Sequence, residues 1–597
     1  MTDRPPRDRP PHRLTDQPAR QLTPGRLARR VALVVLGVWL LVAISQVFLA
    51  ALHVRAGQRA VRTAQANLNA AEISNPAGRD LLAPVRSEFA AAQDQLSGWV
   101  LAPVRAIPVI GRQVRATAAL ARAATRVAVV GQATVLRARA ALGAPHHTGP
   151  ERLTAIRALS LAAHDADRQL ATITLPSASH LIGPVVHARN QFADRLARVR
   201  AGLTRGVAGA QGALSLLSGP SHVLVLMANN AEMRNGSGMF LSAAALDTSN
   251  GSVHLGAISS TSSLHLPPGA VPLTGDMAAR WDWVKPNEEW RNLAVSARFD
   301  TTAALAAQMW KAAKGEDVDG VLGLDVETLK AILQGTGALD VAGTNVTADN
   351  VEQLVMHDQY VGVSVTDAGQ AARKERLGQI ANAALQAVQD GSFDVARLAT
   401  ALAAVTSGRH FLAWSAHPEQ QQQWEQAQVA GQIGAHDLLV AVLNRGANKL
   451  DQFLDVSSQL TVRPGASATD VTVAVKLADH TPEGEPPYVA ESFAGSGVNT
   501  GDYLGLVTLT MPGAATGITV DGVSAVNVLG ADGMSQVVAL LRVVPKGQSL
   551  TVTAHFRLPG RHGLLQTRPS ARVPAAGWSA VGSSVTWRDD QPRNVVW

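Results

Sequence analysis

The sequence lacks cysteine altogether and is poor in aromatic residues, which make up 4% of its 597 positions. Without cysteine the chain has no disulfide framework, no thiolate metal ligand and no cysteine nucleophile. It also offers no cue to the redox compartment. A chain of 597 residues is too long for one hydrophobic core, so several domains are expected.

Motifs of nucleic-acid-binding proteins are missing too, although the formal net charge is +7. The chain has no zinc-finger spacing, no basic zipper and no aromatic RNA-binding signature. Positive charge is concentrated in residues 1–30, with eight arginines and three aspartates, and in residues 55–205, with 20 arginines and eight acidic residues. From residue 206 onward the chain is acidic, so its charge does not indicate a nucleic-acid partner.

One long apolar segment, residues 31–53, carries no ionisable group except His53. About 20 apolar residues span a bilayer as a helix, so this segment predicts a transmembrane helix. A signal peptide is the alternative, but its apolar region is usually only about 7 to 15 residues long. Arginines directly before the segment predict a cytoplasmic N-terminus, with a disordered basic tail over residues 1–30 and an extracytoplasmic location after residue 55.

Residues 54–218 are rich in Ala, Arg, Leu and Val and are interrupted by prolines, which predicts an α-helical stalk or bundle. Within residues 113–142 apolar residues recur at spacings of three and four, with arginines between them. Two interpretations of these arginines remain open. They form the solvated face of the bundle, or they lie against anionic phosphate groups of lipid or wall polymer.

Residues 219–454 alternate short apolar runs with helical patterns, which is typical of an α/β core covered on both faces. Strands are predicted at 222–228, 239–247 and 317–324, and helices at 301–313, 326–334, 349–360, 369–389, 393–406 and 417–431. The segment 248–251 predicts a hairpin turn. Asp325 is the expected N-cap of the helix that begins at residue 326, and Gly335 is its expected stop.

From residue 455 the apolar residues alternate with a period of two, as in Q-L-T-V-R-P-G and D-V-T-V-A-V-K-L. Short strands separated by Gly, Pro, Asn and Asp predict a β-sandwich over residues 455–597. The predicted fold class is therefore an α+β multidomain protein. It has a single transmembrane helix, an extracytoplasmic α-helical stalk, an α/β sandwich core domain and a C-terminal β-sandwich.

The stretch N-N-A-E-M-R-N-G-S-G at 229–238 follows a predicted buried strand, where α/β folds commonly bind ligands. The candidate ligand-binding residues are Asn229, Asn230, Glu232, Arg234, Ser237 and Gly238. The glycines allow close backbone approach, and Arg234 has the geometry to grip phosphate or carboxylate. The alternative is a structural turn in which Glu232 pairs with Arg234. If Arg234 grips a ligand, Arg234→Ala and Arg234→Lys lose binding at an almost unchanged melting temperature.

Residues for catalysis or metal binding are not indicated. The sequence has no Walker loop, zincin helix or G-x-S-x-G elbow. His410 and His417 are too far apart for a helical metal pair, and we interpret both as structural or exposed. Glu316, Asp317 and Asp319 are interpreted as solvating a turn. No cofactor is therefore predicted.

Four motifs together point to a family: the stretch already described, N-N-A-E-M-R-N-G-S-G-M-F, and then W-R-N-L-A-V-S-A-R-F-D-T-T-A, V-D-G-V-L-G-L-D-V-E-T-L-K-A-I-L-Q-G-T-G and L-N-R-G-A-N-K-L-D. In combination they resemble the bacterial membrane-anchored envelope family known as domain of unknown function 4012. The resemblance covers roughly residues 220–580, and the stalk and anchor fit the family's layout. Ser237 and Asp300 depart from it, because the family tends to have glycine and proline there. The family has no assigned activity, so the resemblance implies a class and not a reaction.

Residues 318–324 and 329–337 bear a more distant resemblance to the LytR-CpsA-Psr phosphotransferases. Those enzymes move undecaprenyl-pyrophosphate-linked glycopolymers onto the wall, and they also have a short cytoplasmic tail, one anchor and an α/β domain. The arginine–aspartate pair of those enzymes would fall near the segment I-S-S-T-S-S at 258–263 of this chain, which has no charge. We expect Mg²⁺ as a cofactor only if this chain is a phosphotransferase of this kind.

Three functional hypotheses follow for a protein of the bacterial plasma membrane. In the leading one the extracytoplasmic α/β domain binds a wall or lipid-linked glycopolymer, so the partners are the membrane and an anionic envelope polymer or lipid. The second is a glycopolymer phosphotransferase. The third is a non-catalytic structural or assembly factor that acts through the stalk and the sandwich.

The predicted topology can be tested with reporters fused after residue 597. Because residues 31–53 are expected to anchor the chain with its N-terminus inside, we expect alkaline phosphatase to be active there and a cytoplasmic reporter to be inactive. Deleting residues 31–53 is the control and should reverse the pattern. Activity of the cytoplasmic reporter on the intact chain would overturn all three envelope hypotheses.

Overall fold

The computed structural model describes residues 24–67, 81–143, 147–362, 367–391, 393–582 and 585–597. The predicted disordered tail lies outside these ranges up to residue 23. The chain divides into two compact units. One consists of Met1–Thr63, Leu82–Ala128 and Thr174–Ala193, and the other of Ala64–Leu81, Val129–Ile173 and Asp194–Trp597.

The described part of the first unit is helical. Two of its helices, α2 (Ala83–Ser97) and α3 (Ala102–Ala106), belong to it entirely. It also contains α1 (Pro24–Asn67) as far as Thr63, and the first parts of α4 (Pro108–Leu142) and α6 (Gly183–Ser218). Leu33–Ala64 is the one helical segment among the described residues that is long and apolar enough to cross a membrane. The predicted span of 31–53 lies inside α1, which continues beyond it because Ala- and Arg-rich sequence also favours a helix.

The helices of the predicted stalk that belong to the second unit carry paired arginines. They are the last part of α4, α5 (Gly149–Ala171) and the last part of α6. Arg137 lies 3.3 Å from Asp165, and Arg200 lies 2.8 Å from Asp167. All four side chains remain accessible to solvent, so these arginines form a solvated face of the helices.

The α/β core is built on a mixed sheet with the order β3-β2-β1-β5-β8, in which β4 also pairs with β2. Its strands are β1 (Ser221–Met233), β2 (Gly238–Ser249), β3 (Ser252–Leu255), β4 (Ser259–Ser260), β5 (Gly320–Leu324) and β8 (Phe411–Ser415), and β6 (Leu339–Val341) and β7 (Thr344–Val346) form a separate hairpin. β1 is parallel to β5, and the other neighbours are antiparallel. The predicted turn joins β2 to β3, with Asn250 and Gly251 at positive φ.

Helices cover both faces of this sheet. The helices of the α/β core are α7 (Gly275–Trp281), α8 (Phe299–Lys314), α9 (Val326–Thr336), α10 (Val351–Met356), α11 (Asp367–Gln389), α12 (Val395–Ser407) and α13 (Pro418–Gln426), of which α7 packs away from this sheet. Because side chains alternate along a strand, Leu224 and Leu226 of β1 pack into one core with Met309 of α8. Val223 and Val225 point to the opposite face. The predicted two-faced core is confirmed.

The start of α9 agrees with the prediction, but its end does not. Asp325 caps the helix, since its carboxylate accepts hydrogen bonds from the N–H groups of Glu327 and Thr328. The helix continues through Gly335, and its C-cap is Gly337 with φ of 84°. A Cβ on Gly335 would lie 2.6 Å from Leu398 Cβ, so this glycine permits the close approach of α12. Predicting Gly335 as the stop was wrong.

β1 is longer than predicted and includes most of the polar stretch. It runs to Met233 instead of ending at 228, so only residues 234–237 form the turn to β2. The register with β2 jumps between Asn229 and Met233, which leaves residues 230–232 as a bulge. The polar side chains did not mark a loop, because distant parts of the chain bury and satisfy them.

The C-terminal region forms the predicted β-sandwich from two six-stranded sheets. Their strands are β9 (Asp437–Asn444), β10 (Leu454–Pro464), β11 (Ala468–Asp479), β12 (Tyr503–Pro512), β13 (Thr516–Val520), β14 (Val528–Asp532), β15 (Ser535–Val544), β16 (Ser549–Pro559), β17 (Leu564–Arg568), β18 (Gly577–Ala580), β19 (Thr586–Arg588) and β20 (Arg593–Val596). The orders are β13-β16-β11-β10-β18-β19 and β14-β15-β12-β9-β17-β20. Because β9 belongs to the second sheet, strands of the sandwich begin before residue 455. A short helix, α14 (Pro487–Ala490), lies between β11 and β12.

The sheet that contains β9 is buried on both faces. Val440 and Val442 point into the core of the sandwich. Leu439 and Leu443 point the other way and pack with Trp281 of α7, which belongs to the α/β core. The α/β core and the sandwich therefore share a hydrophobic core.

Asp451 joins the same two regions through polar contacts and is fully buried. Its Oδ1 accepts hydrogen bonds from Tyr503 Oη at 2.8 Å and Arg572 Nη1 at 2.7 Å. Its Oδ2 accepts from the backbone N–H of Met233 at 2.9 Å and from Asn444 Nδ2 at 3.0 Å. One carboxylate thereby connects the end of β1 with three parts of the sandwich.

Asp451→Asn is predicted to destabilise the protein strongly. The substitution keeps the size of the side chain but leaves the guanidinium of Arg572 buried without its counter-charge, which typically costs about 3–5 kcal/mol. Denaturant unfolding of the detergent-solubilised full chain, followed by tryptophan fluorescence, measures the effect. Asp455→Asn changes an exposed carboxylate and is the control. Equal unfolding midpoints for the two variants would contradict the assigned role.

Candidate functional site

The second unit contains a cavity of about 1210 Å³ beside the mixed sheet. Its walls come from β1, β2, β3 and β5, from helices α9, α11 and α12, and from segments of the sandwich next to β9 and α14. Typical small-molecule pockets have volumes of roughly 300–1,000 Å³. This cavity therefore has room for a larger ligand.

Most of the cavity wall is aliphatic. On one side lie alternate residues of β1, Val225 and Met227. On the other side lie residues of α11 spaced by a helical turn, Leu377, Ala381 and Ala384. Further apolar residues complete the wall: Leu246, Val253, Leu255, Leu322, Leu324, Leu329, Ile332, Leu398, Leu402 and Phe411. This part of the cavity suits a hydrocarbon chain.

One end of the cavity is polar and holds half of the candidate residues. Asn229, Glu232 and Arg234 line it, whereas Asn230, Ser237 and Gly238 are buried outside its wall. Ser237 donates from Oγ to the carbonyl oxygen of Gly238 at 3.0 Å. A Cβ on Gly238 would lie 2.5 Å from the carbonyl oxygen of Asn229, so the site requires glycine for backbone packing.

The two asparagines hold neighbouring segments in place. Asn229 donates from Nδ2 to Tyr360 Oη at 2.6 Å, across the polar end of the cavity. Asn230 donates from Nδ2 to Asp325 Oδ2 at 2.8 Å and to the carbonyl oxygen of Ala571 at 2.9 Å. Asn230 therefore connects β1 to the capped end of α9 and to the sandwich, while Asn229 positions an aromatic residue of the wall.

Arg234 is bound by backbone carbonyls and not by Glu232. Its Nε donates to the carbonyl oxygen of Arg291 at 2.7 Å, and its Nη1 donates to those of Met233 at 2.9 Å and Asn444 at 2.8 Å. The expected pair with Glu232 was wrong, because the guanidinium closes the gap between three backbone segments. We therefore expect replacement of Arg234 to lower the melting temperature, in contrast to the expectation from sequence.

Glu232 forms a buried ion pair with Lys449, which follows β9 in the sandwich. The Lys449 ammonium also lies 5.4 Å from the ring centroid of Tyr360 and 5.0 Å from that of Tyr488. Burial lowers the pKa of Lys449, and the carboxylate of Asp451 opposes this effect. The pair places opposite charges side by side at the polar end, so its net contribution to the local charge is small.

Further cations line the polar end. Arg291 is neutralised by Glu289, with Nε–Oε1 at 2.9 Å and Nη2–Oε2 at 2.6 Å. Arg373 lies over the ring of Tyr360 at 5.1 Å. Arg445 donates from Nη1 to Asn292 Oδ1 at 3.1 Å and lines the cavity beside Arg234.

Two of these guanidinium groups have no carboxylate partner among the described residues. Arg234 and Arg445 donate only to neutral oxygens. Burial lowers the pKa of both, that of Arg234 to about 9, and the charge of Arg445 adds to the effect at Arg234. Both remain protonated at neutral pH, so the polar end presents two guanidinium groups without an ion-pair partner, although the exposed carboxylate of Glu491 also lies in the wall.

Several wall residues were not among the sequence candidates. Arg291 lies in the motif W-R-N-L-A-V, and Arg445 and Lys449 lie in L-N-R-G-A-N-K-L-D, so the resemblance contained a signal for these three. Nothing in the sequence around Tyr360 or Arg373 indicated that these residues line a cavity. Their location depends on how α11 and the segment after α10 pack against the sheet.

The titratable residues considered from sequence have partners within the protein. His410 Nδ1 lies 2.6 Å from Asp325 Oδ2; burial lowers the pKa of His410, but that carboxylate outweighs it and raises the pKa. His417 lies 3.2 Å from Asp319, and Lys311 lies 2.7 Å from Asp317. Among the described residues no group of three His, Cys, Asp or Glu side chains could hold a metal ion.

The uncharged segment at 258–263 also lies at the cavity. Ile258, Ser260, Thr261 and Ser262 line its wall. The segment itself carries no charge, and the positive charge of the site comes from Arg234, Arg291 and Arg445.

Comparison with known proteins gives one family. Residues 218–360 match the family model described as "Protein of unknown function (DUF4012)". No match was found among curated proteins or among solved structures. The matched residues include β1, β2, β5 and α9, and so contain the sheet wall of the cavity together with Arg234 and Arg291. This match bears out the predicted resemblance to the family over residues 218–360, a shorter stretch than the predicted 220–580.

Proposed function

We propose that this is a single-pass protein of the bacterial cell envelope whose α/β domain binds an anionic, lipid-linked glycopolymer. The observation that carries the proposal is the cavity of about 1210 Å³, with an aliphatic interior and unpaired guanidinium groups at one end. The hydrocarbon of the lipid would occupy the interior, its phosphate would face the guanidinium groups, and the glycan would extend into solvent.

The aliphatic interior and the cationic end of the cavity suit the hydrocarbon chain and the phosphate of such a ligand, respectively. Each methylene group transferred from water into an apolar cavity contributes about 0.8 kcal/mol, so a long polyisoprenoid chain gains much of its affinity there. A phosphate accepts charge-assisted hydrogen bonds, which are about twice as strong as those between neutral groups. Neither a free sugar polymer nor a small polar metabolite uses both halves.

The proposed location follows from the same ligand. Carrier lipids of glycopolymers reside in the plasma membrane, and α1 contains a segment long and apolar enough to anchor the chain there. We propose that the N-terminus is cytoplasmic and that the remaining chain, including the cavity, lies outside the cytoplasm.

The proposal assigns binding and no catalysis. A phosphotransferase of the LytR-CpsA-Psr type would additionally have to stabilise the departing pyrophosphate, and Mg²⁺ would enter the mechanism only in that case. A structural or assembly factor would use the same binding without turnover.

The apolar half of the proposal is tested by filling the cavity. Ala381 of α11 lines it, so Ala381→Phe should exclude part of the lipid chain and weaken polyprenyl phosphate binding about tenfold, equivalent to about 1.4 kcal/mol. Binding of a fluorescent polyprenyl phosphate to the detergent-solubilised full chain is the measurement. Asn382→Phe adds the same ring to an exposed position of the same helix and should bind like the wild type. If Ala381→Phe also binds polyprenyl phosphate like the wild type, the interior of the cavity is not the lipid site.

The charged half is tested by comparing polyprenyl phosphate with uncharged polyprenol. The wild type should prefer the phosphate, because Arg445 and Arg234 face it. In Arg445→Gln this preference should fall about tenfold while polyprenol binding stays the same. Arg463→Gln, at an exposed position of β10, is the control. An undiminished preference in Arg445→Gln would refute the role of this guanidinium.

A further inference from the structure

Three large aromatic side chains are exposed around the polar end of the cavity. Trp283 is 48% exposed, Tyr488 38% and Phe493 51%. Tyr488 and Phe493 line the cavity, and the exposed Ala447 lies in its wall too, so the cavity opens here. We call this opening the mouth. In a chain with 4% aromatic residues, three exposed rings at one opening form a distinct surface feature.

The three aromatic residues lie beside cationic residues of the polar end, and Lys449 Nζ is 5.0 Å from the ring centroid of Tyr488. The Arg445 guanidinium lies 5.7 Å from the ring centroid of Trp283. The next residue, Gly446, accepts a hydrogen bond from the N–H of Phe493 at 3.1 Å. Tyr488, five residues before Phe493 in the same segment, stacks on the buried Tyr360 at a centroid distance of 5.4 Å. The mouth therefore combines three exposed aromatic side chains with the guanidinium of Arg445.

This combination of groups fits the surface of a bilayer. Trp and Tyr are enriched where hydrocarbon meets lipid headgroups, because their rings are apolar at one end and polar at the other. Arg445, which has no ion pair among the described residues, complements the phosphate of an anionic headgroup. A surface built for a protein partner would not need to surround the opening of an apolar cavity.

We propose that the mouth docks on an anionic bilayer surface, with Trp283, Tyr488 and Phe493 inserted at the level of the headgroups. The inference rests on the proposed function for the identity of the cargo, but the docking itself is a separate property. Docking gives the hydrocarbon chain a path from the bilayer into the cavity without exposing its methylene groups to water, which is unfavourable.

The absence of cysteine allows a direct test. Trp283→Cys, Tyr488→Cys and Phe493→Cys each introduce one thiol for a spin label into the full chain, and each keeps the other two aromatic residues. Val596→Cys is the control: Val596 is 74% exposed and lies on β20, at the edge of the sheet opposite to β14. Each labelled protein is placed in vesicles that contain phosphatidylglycerol, and collision rates with oxygen and with a water-soluble nickel complex are measured.

We expect the three mouth labels to collide more with oxygen, which concentrates in the bilayer, and the control label to collide more with nickel. Mouth labels that favour nickel as the control does would place the mouth in water. Mouth labels shielded from both reagents would place it against protein. Either result overturns docking. Polyprenyl phosphate binding to the Val596→Cys protein in detergent is scored separately, so a failure of docking and a failure of the proposed function can be told apart.

Discussion

The buried carboxylate of Asp451 is the contact on which the arrangement of the second unit depends. Burying an unpaired carboxylate is very costly, and here four donors from β1, β9, β12 and Arg572 surround it. Because one of the donors is the backbone N–H of Met233, the end of β1 is fixed relative to the sandwich. Glu232 and Arg234, on either side of Met233, are thereby held at the polar end of the cavity.

The cationic end of the cavity follows from this junction. Arg234 uses its donors to close the gap between β1, the Arg291 segment and β9, so its charge is present for a structural reason and no carboxylate is needed to orient it. In surroundings that are largely apolar, such a charge acts over a longer range than it would in water. The structural role of Arg234 is therefore compatible with the ligand-binding role that we propose for it, and the two interpretations drawn from sequence do not exclude each other.

Local features of the fold could be predicted from sequence, whereas the site depended on distant contacts. The N-cap at Asp325, the turn at Asn250 and Gly251, and the buried strand over 222–228 are set by neighbouring residues, and all three were predicted correctly. Glu232 and Lys449 are 217 residues apart, and nothing in their local sequence indicates the pairing. A period of two also does not tell which face of a strand borders a cavity. Of the candidate residues at 229–238, only Asn229, Glu232 and Arg234 line the cavity, and the stretch was wrongly assigned to a loop with an internal Glu232–Arg234 pair.

The helical wall of the cavity has a consequence for the range of ligands that this fold can hold. On α11 the residues that face the interior include Gly378, Ala381 and Ala384, which are among the smallest side chains. A Cβ on Gly378 would meet Ile258 Cδ1 at 3.8 Å, which is an ordinary contact, so the backbone does not enforce the glycine. These small side chains leave space along one wall of the interior, and they lie outside the residues 218–360 that match the family model. Substitutions at these positions would change the volume of the cavity without altering the sheet or the residues of the polar end.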